Sequence, residues 1–283
     1  MFGAYGGLTC FYTNELTRDG IFDCLKKRHH YGTTGNRLHL TVNAKFKSDS
    51  KLFDLDPNVF DTACSSDVKS AMMGDIIQTD DTNVNLNVSV KSPTPIQHIE
   101  IRNGTNVIET LRGYINSDLG SRYRVLWSGA EYRGRGRNTN WVGEAIFKNC
   151  KIKNMQKINA WNHEKLLEVT GANCVKFDAI TTGNYGGFDV WLDNIDKAEI
   201  QIKTNHGSLN KKLFGMGIED TILDCGGLER KIKVIRLPDE NPHRELKGSV
   251  DIELDAKGDN PLWVRVTTED GFQAWSSPIF VFN

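Results

Sequence analysis

The chain has 283 residues, of which 39% are hydrophobic and 25% are charged, and its formal net charge is −1. This composition excludes an intrinsically disordered chain, because enough apolar surface is present to offset chain entropy, and it excludes a polycation that coats nucleic acid without sequence preference. It also excludes a membrane-spanning helix, since no apolar run approaches the roughly 18 residues that a span needs.

The first segment, residues 1–46, is predicted to form a strand, a helix and a second strand. A short apolar strand covers residues 8–12, and Thr17 is placed to cap a helix that presents Ile21, Phe22 and Leu25 as a core-facing stripe. The glycine-containing turn at 31–35 ends the helix, and alternation of apolar residues from Leu38 to Phe46 then predicts a strand. Such a unit is typical of an α/β fold.

The remainder, residues 47–283, is predicted to be a β-sandwich region. Apolar residues alternate at 84–90 and 250–254, and turn signals separate the short strands. Residues 128–245 are interpreted as a β-rich lobe inserted into this region. The stretch from Leu52 to Met73 is less patterned and is predicted to be a loop with short helical turns.

The termini and the cysteines give little functional information. No basic segment followed by an apolar stretch begins the chain, so no signal peptide is predicted and the compartment is left open. The six cysteines contain no C-x-x-C pair, which argues against a zinc ribbon and favours buried free thiols.

Three patterns each leave two interpretations open. The run from Tyr132 to Arg137 carries three arginines that suit RNA, or that pair with nearby carboxylates at a strand edge, and the near-zero net charge favours the pairing. The six tryptophans form either a sugar-binding platform or ordinary core, and core is favoured. The segment from Thr181 to Gly187 is a polar turn, and the aspartates that follow it have the wrong spacing for a calcium loop.

A series of short motifs, in a fixed order, carries a resemblance to a known family. The main ones are Glu15–Asp23, Tyr31–Leu38, Met73–Asp75, Ile99–Gly104, Trp127–Ala130, Trp263–Val266 and Ala274–Ile279. In these motifs the chain resembles the C-terminal part of the family called domain of unknown function 3604, which is related to the PHP (polymerase and histidinol phosphatase) metallohydrolases. The resemblance implies a mostly β chain, α+β overall, in which residues 1–46 are the strand-helix-strand remnant of a PHP-like (β/α) barrel.

The resemblance also implies a chemistry for the intact protein. In such hydrolases His and Asp side chains hold divalent metal ions, here expected to be Zn, Mn or Fe, which activate a water and clamp the oxygens of a phosphate or related ester. Those ligands come from an H-x-H and an Asp-x-His motif, and neither motif occurs in this chain. No metal ligand or cofactor is therefore carried over, and this chain alone is expected to be inactive.

The turn from Tyr31 to Arg37 is the one local candidate for a substrate site. Within the implied barrel it lies where a helix returns toward a strand, so the hydroxyls of Thr33 and Thr34 and the guanidinium of Arg37 are candidates to contact an anionic substrate. The competing interpretation is turn chemistry, in which glycines supply unusual dihedral angles and the threonines bond to the backbone.

Two main functions follow. The first is the C-terminal, accessory part of a PHP-like metal-dependent hydrolase, whose expected partners are the missing N-terminal barrel segment and a small-molecule ester, with neither nucleic acid nor membrane. The alternative is a non-catalytic β-sandwich module that binds carbohydrate through exposed tryptophans such as Trp161 and Trp191. A third interpretation, RNA binding through the arginine run, predicts a steep salt dependence.

Overall fold

The computed structural model describes residues 6–160, 162 and 164–283, and it divides them into two compact units. Unit 1 comprises the described residues up to Gly113 together with Pro242–Asn283, and unit 2 is the continuous segment Tyr114–Asn241. Residues of unit 1 thus precede and follow unit 2 in the chain. The sequence predicts an inserted lobe at 128–245, whereas unit 2 covers residues 114–241.

The described elements follow in chain order. Unit 1 begins with β1 (Leu8–Phe11), α1 (Arg18–Lys26), β2 (His30–Thr33), β3 (His39–Phe53), β4 (Ser65–Met72), β5 (Ile76–Gln78), β6 (Asn83–Lys91), β7 (Ile96–Asn103) and β8 (Asn106–Leu111). Unit 2 holds β9 (Arg122–Ala130), β10 (Thr139–Lys148), β11 (Ile152–Ile158), β12 (Leu167–Thr170), β13 (Cys174–Thr181), β14 (Tyr185–Leu192), β15 (Glu199–Thr204), β16 (Gly207–Lys212), β17 (Thr221–Asp224) and β18 (Leu228–Leu237). Unit 1 ends with β19 (Glu245–Glu253), β20 (Asn260–Thr268), β21 (Gln273–Ser276) and β22 (Ile279–Phe282).

The predicted predominance of β-structure is confirmed. In unit 1 a 12-stranded, largely antiparallel sheet folds around one core, and its main path runs β1-β2-β21-β20-β22-β5-β3-β6-β19. Successive side chains of a strand point to opposite faces, so the alternating residues Leu40, Val42 and Ala44 of β3 are all buried in this core. The arrangement is sandwich-like.

The amino-terminal segment differs from the barrel piece that the resemblance implies. β1 and β2 are antiparallel, with Leu8 opposite Thr33, whereas neighbouring strands of a (β/α) barrel are parallel. β2 pairs in turn with β21, so this segment is an edge of the unit 1 sheet. Thr17 does cap α1 by accepting a hydrogen bond from the Gly20 amide at 3.1 Å, as predicted.

Two local predictions about unit 1 are wrong. Phe22 and Leu25 of α1 are 55% and 47% exposed, so the helix does not bury the predicted stripe. The stretch from Leu52 to Met73, predicted to be a loop with short helical turns, contains the end of β3 and all of β4. The sequence does not predict β4, because most of its residues are exposed and a strand that buries neither face has no alternation of apolar residues.

Unit 2 is built from two five-stranded antiparallel sheets, ordered β12-β13-β10-β15-β16 and β11-β14-β9-β18-β17. Their side chains share one core, to which β9 contributes Trp127, β10 Phe147, β13 Phe177 and β14 Phe188. Stacking of two sheets over a common apolar core is the sandwich arrangement. In the described part of the chain, no helix has the length and apolar character needed to cross a membrane.

Candidate functional site: a cleft at one end of unit 2

A shallow cleft with a cavity volume of about 40 Å³ opens to solvent at one end of unit 2. We call it the unit 2 cleft. Its wall includes Trp127, Lys157, Lys165, Asp178, Asn184, Tyr185 and Gly186. Because these residues come from both sheets and from the segment between β11 and β12, the cleft is a mouth of the sandwich.

Trp127 forms the floor of the cleft. Its indole is 3% exposed and stacks on Phe177, with ring centroids 4.5 Å apart and planes 16° apart. Gly186 lies opposite Trp127 in the β9–β14 register, and a Cβ at Gly186 would stand 3.2 Å from the indole Nε1. No residue in the described ranges accepts a hydrogen bond from that Nε1. The indole N–H is therefore an available donor next to Gly186, which has no side chain to cover it.

Lys165 and Asp178 place an ion pair in the wall. The Lys165 Nζ lies 3.0 Å from Oδ1 and 2.9 Å from Oδ2 of Asp178, and each side chain is 35% exposed. The Asp178 amide also donates to the Leu166 carbonyl at 2.8 Å, which fixes the segment that carries Lys165 against β13. The pair therefore presents a fixed ammonium and a fixed carboxylate with room for further hydrogen bonds.

The turn between β13 and β14, residues 182–184, forms the rim of the cleft. The Thr182 amide donates to the Asn184 Oδ1 at 2.8 Å, and the Gly183 amide donates to the Gly129 carbonyl at 3.1 Å. Gly183 has φ 104°, a conformation that favours glycine. These bonds tie the turn to the end of β9, leaving the Asn184 side-chain NH2 at the cleft.

The same turn borders a second hollow, which is shallow and largely open to solvent. Thr182 lines it together with residues 134–138. We define residues 132–137, between β9 and β10, as the arginine loop. Arg133, Arg135 and Arg137 are all exposed. Over residues 6–160, 162 and 164–283, none of the three has a carboxylate within salt-bridge distance, so the favoured interpretation of paired arginines is wrong.

The reason is visible at the base of the loop. Glu131, the adjacent carboxylate, pairs with Arg230 of β18 instead. The Glu131 backbone amide donates a hydrogen bond to the Arg137 carbonyl at 3.2 Å, which closes the loop on itself. The three guanidinium groups are therefore left to solvent.

The residues predicted from the barrel resemblance lie in unit 1, at the β2–β3 connection. Thr33 is buried and its Oγ1 accepts from the Gly35 amide at 3.1 Å, while the Thr34 Oγ1 accepts from the Gln273 amide at 3.0 Å. Arg37 is exposed. The structure thus places the three in one turn, with both hydroxyls bonded to backbone, and their role with a substrate stays a prediction.

The metal chemistry implied by the resemblance finds no matching donor set in the described ranges. No group of three or more His, Cys, Asp or Glu side chains converges there. His29 and Asp75 form a pair, in which His29 Nε2 lies 2.7 Å from Asp75 Oδ1 while Asp75 Oδ2 accepts from the Met72 amide. The described side chains do not fit the divalent ions of that chemistry.

The tryptophans divide between core and surface. Trp127 and Trp141 are buried, whereas Trp191, Trp263 and Trp275 are half-buried. Trp191 donates its Nε1 to the Asp239 carbonyl at 3.0 Å and stacks against the Arg122 guanidinium, so it is held in place by neighbours. Trp161, the other residue of the predicted platform, lies outside the described residues.

The sequence does not predict the cleft as a site, because its parts are far apart in the chain. The polar turn and the arginine run each have a recognisable composition, but nothing in the sequence joins them to Lys165 and Asp178. The glycine pair Gly186-Gly187 directly after the turn was the available signal, since consecutive glycines in a strand often mark a close approach.

Part of the chain is similar to a known protein family. Residues 1–103 match the model of a family described as a protein of unknown function, DUF3604. The matched residues all belong to the sequence of unit 1, and unit 2 with its cleft lies beyond them. No curated protein matches the chain, and no solved structure does.

Proposed function

We propose that the chain is a binding module whose site is the unit 2 cleft and whose ligand is a saccharide. The observation that carries this proposal is that one cleft is lined by the half-exposed Lys165–Asp178 pair and by Trp127, whose indole N–H has no acceptor within the described ranges. A sugar hydroxyl both donates and accepts hydrogen bonds. The Lys165 ammonium and the Trp127 indole N–H are donors and the Asp178 carboxylate is an acceptor, so together they suit adjacent hydroxyls on one ring.

The lining of the cleft supports a saccharide ligand. Ligand sites combine an apolar lining with a few placed polar groups, and the described wall of this cleft has both. Tyr185 adds an aromatic side chain at the rim, and Ala179 and Ile180 add apolar surface. Aromatic and aliphatic surface packs against the C–H face of a sugar while the polar groups take its edge.

Glycan-array screening of the purified chain, followed by calorimetric titration of the best ligand, tests the proposal. The variant Asp178→Asn keeps the side-chain size and removes the charged acceptor, so we expect affinity to fall about 10- to 100-fold, as for hydrogen bonds to charged groups. Phe214→Ala is the control, because Phe214 is 64% exposed, lies in unit 2 and does not line the cleft. Absence of any binding glycan, or equal loss in both variants, would overturn the proposal.

A second candidate is favoured by the match of residues 1–103 to DUF3604. On this proposal the chain is the accessory C-terminal region of a metal-dependent, PHP-like hydrolase whose barrel and metal ligands lie on a preceding segment. Sequencing upstream of the Met1 codon tests it. An open frame that encodes H-x-H and a late Asp-x-His supports it, and metal-dependent ester hydrolysis by the longer protein is then the assay, whereas a stop codon in frame just upstream refutes it.

A further inference from the structure

We infer that the saccharide bound by the unit 2 cleft is acidic, and that the arginine loop recognises its carboxylate, sulfate or phosphate groups. This inference rests on the proposed function and specifies its substrate class. It is carried by the position of the loop beside the cleft and by the charges of the two hollows.

The cleft and the arginine-loop hollow share one turn. Thr182 lines the hollow, Asn184 lines the cleft, and the Thr182 amide donates to the Asn184 Oδ1 at 2.8 Å. The topology explains this, since β9 pairs with β14 and β10 pairs with β13, so the β9–β10 and β13–β14 connections both cross between the sheets at the same end. An oligosaccharide with one ring in the cleft would pass over this turn with its next ring at the loop.

The charges of the two hollows favour an anion. Among the residues that the structure describes, the charged ones that line them are Lys157, Lys165, Arg135, Arg137 and one carboxylate, Asp178. Asp178 is already bonded to Lys165, which leaves Lys157 and the loop arginines as the excess. The formal net charge of the whole chain is −1, so the excess of positive charge is local to this end of unit 2. Such a local excess attracts anionic ligands.

The loop is shaped to expose its arginines. Gly134 and Gly136 have φ values of 108° and 73°, which glycine adopts without strain, and they alternate with the arginines. Guanidinium groups bind carboxylate, sulfate and phosphate through two parallel N–H bonds, which gives geometric selection as well as charge. Because Glu131 pairs with Arg230, the carboxylate at the base of the loop does not compete for them.

A saccharide is favoured over a nucleic acid by the cleft itself. Asp178 stands in the wall as an acceptor for hydroxyl groups, which every ring of a saccharide carries. The Trp127 indole turns its face to Phe177 and is not free to stack on a base, which is the usual contact with single-stranded nucleic acid.

Titration calorimetry with oligogalacturonate and its methyl-esterified counterpart tests the inference, because the two probes share ring and linkage and differ in charge. Sulfated and desulfated chondroitin oligosaccharides form a second matched pair. We expect the acidic member to bind at least 10-fold more tightly. The double variant Arg135→Gln/Arg137→Gln should remove that preference and keep the affinity for the neutral member.

The control carries the same loss of charge elsewhere in unit 2. Lys211→Gln/Lys212→Gln alters two exposed lysines of β16 and should leave the preference intact. Equal binding of acidic and neutral members, or equal loss of preference in both double variants, overturns the inference and leaves the proposed function standing. Failure of every saccharide to bind overturns both. Tighter, steeply salt-dependent binding of a single-stranded RNA oligomer that Gly186→Ala does not affect overturns both in favour of nucleic acid.

Discussion

Arg124 and Asp189 face each other across β9 and β14 and form a doubly bonded pair: Nε lies 2.7 Å from Oδ1, and Nη2 lies 2.9 Å from Oδ2. Both side chains are fully buried. Arg122, two residues earlier on β9, donates to the same carboxylate, with Nη2 2.6 Å from Oδ2. One carboxylate thus serves two buried guanidinium groups in unit 2.

Asp189→Asn should therefore destabilise the protein strongly. Removing the charge of one partner leaves buried cations without their counter-ion, which costs about 3–5 kcal/mol. Denaturant unfolding followed by tryptophan fluorescence measures the change. Asp49→Asn is the matched control, because Asp49 is 70% exposed and lies 3.6 Å from Lys69, and such pairs contribute about 0–1 kcal/mol. Similar small effects of the two substitutions would contradict this account.

The adjacent glycines of β14 should respond differently to the same substitution. The atom nearest to a Cβ at Gly186 would be the Trp127 Nε1, at 3.2 Å, and the Ile158 carbonyl oxygen would lie at 3.7 Å, so Gly186→Ala should fold and weaken ligand binding by narrowing the cleft. A Cβ at Gly187 would stand 2.0 Å from the Val125 carbonyl, so Gly187→Ala should disrupt the β9–β14 pairing. Thermal unfolding and calorimetry on both variants separate these outcomes, and a Gly186→Ala protein that binds normally would count against the cleft as the site.

Glu100 should make unit 1 sensitive to acid. Burial raises the pKa of this carboxyl, but hydrogen bonds and charge from His98 and Arg265 outweigh that effect and hold the pKa well below its usual value of 4.5. Arg102 adds a contact at 2.7 Å. A depressed pKa in the folded state gives stability that is complete above about pH 4.5 and is lost as the pH falls through the folded value.

Glu100→Gln removes this titration. We expect the variant to be less stable at pH 7, by about 1–3 kcal/mol, because the arginines lose a charged acceptor. The difference from the parent should shrink steadily as the pH is lowered from 4.5, which urea unfolding at a series of pH values can follow. A difference that stays constant down to pH 2 would show that Glu100 does not titrate as described.

The cysteines should differ in reactivity toward iodoacetamide. Burial, with the charge of Asp193, raises the pKa of the Cys150 thiol to about 11, and only the thiolate reacts. Cys64 is exposed. At pH 8 mass spectrometry should find Cys64 modified first and Cys150 protected until the protein unfolds, and Cys64→Ser should remove the fast phase. Early modification of Cys150 would contradict its placement in the core of unit 2.

The sequence predicts strands where one face is buried and fails where that condition does not hold. Leu40, Val42 and Ala44 alternate because β3 has a core on one side, whereas the mostly exposed β4 has no such pattern. The direction of pairing is also hidden, because a strand-helix-strand sequence is compatible with parallel or antiparallel neighbours. The antiparallel β1–β2 pair depends on contacts with β21, which lies at the other end of the chain.

The cleft could be predicted only in fragments. Its polar turn and the arginine loop have recognisable compositions, but about fifty residues separate them, and only the pairing of β9 with β14 and of β10 with β13 brings them to one end of the sandwich. Lys165 and Asp178 carry no local pattern at all. Long-range register, which the sequence does not display, decides this site.

The interruption of unit 1 by unit 2 has a consequence for synthesis on the ribosome. Gly113 and His243, at the two ends of the interruption, are neighbours, since a Cβ at Gly113 would stand 2.5 Å from the His243 ring. β20, which joins β7 to β21 and β22, is translated only after all of unit 2. Nascent unit 2 can therefore complete its sandwich while unit 1 still lacks a central strand. Until the last residues emerge, the amino-terminal strands of unit 1 have unpaired edges that need protection from aggregation.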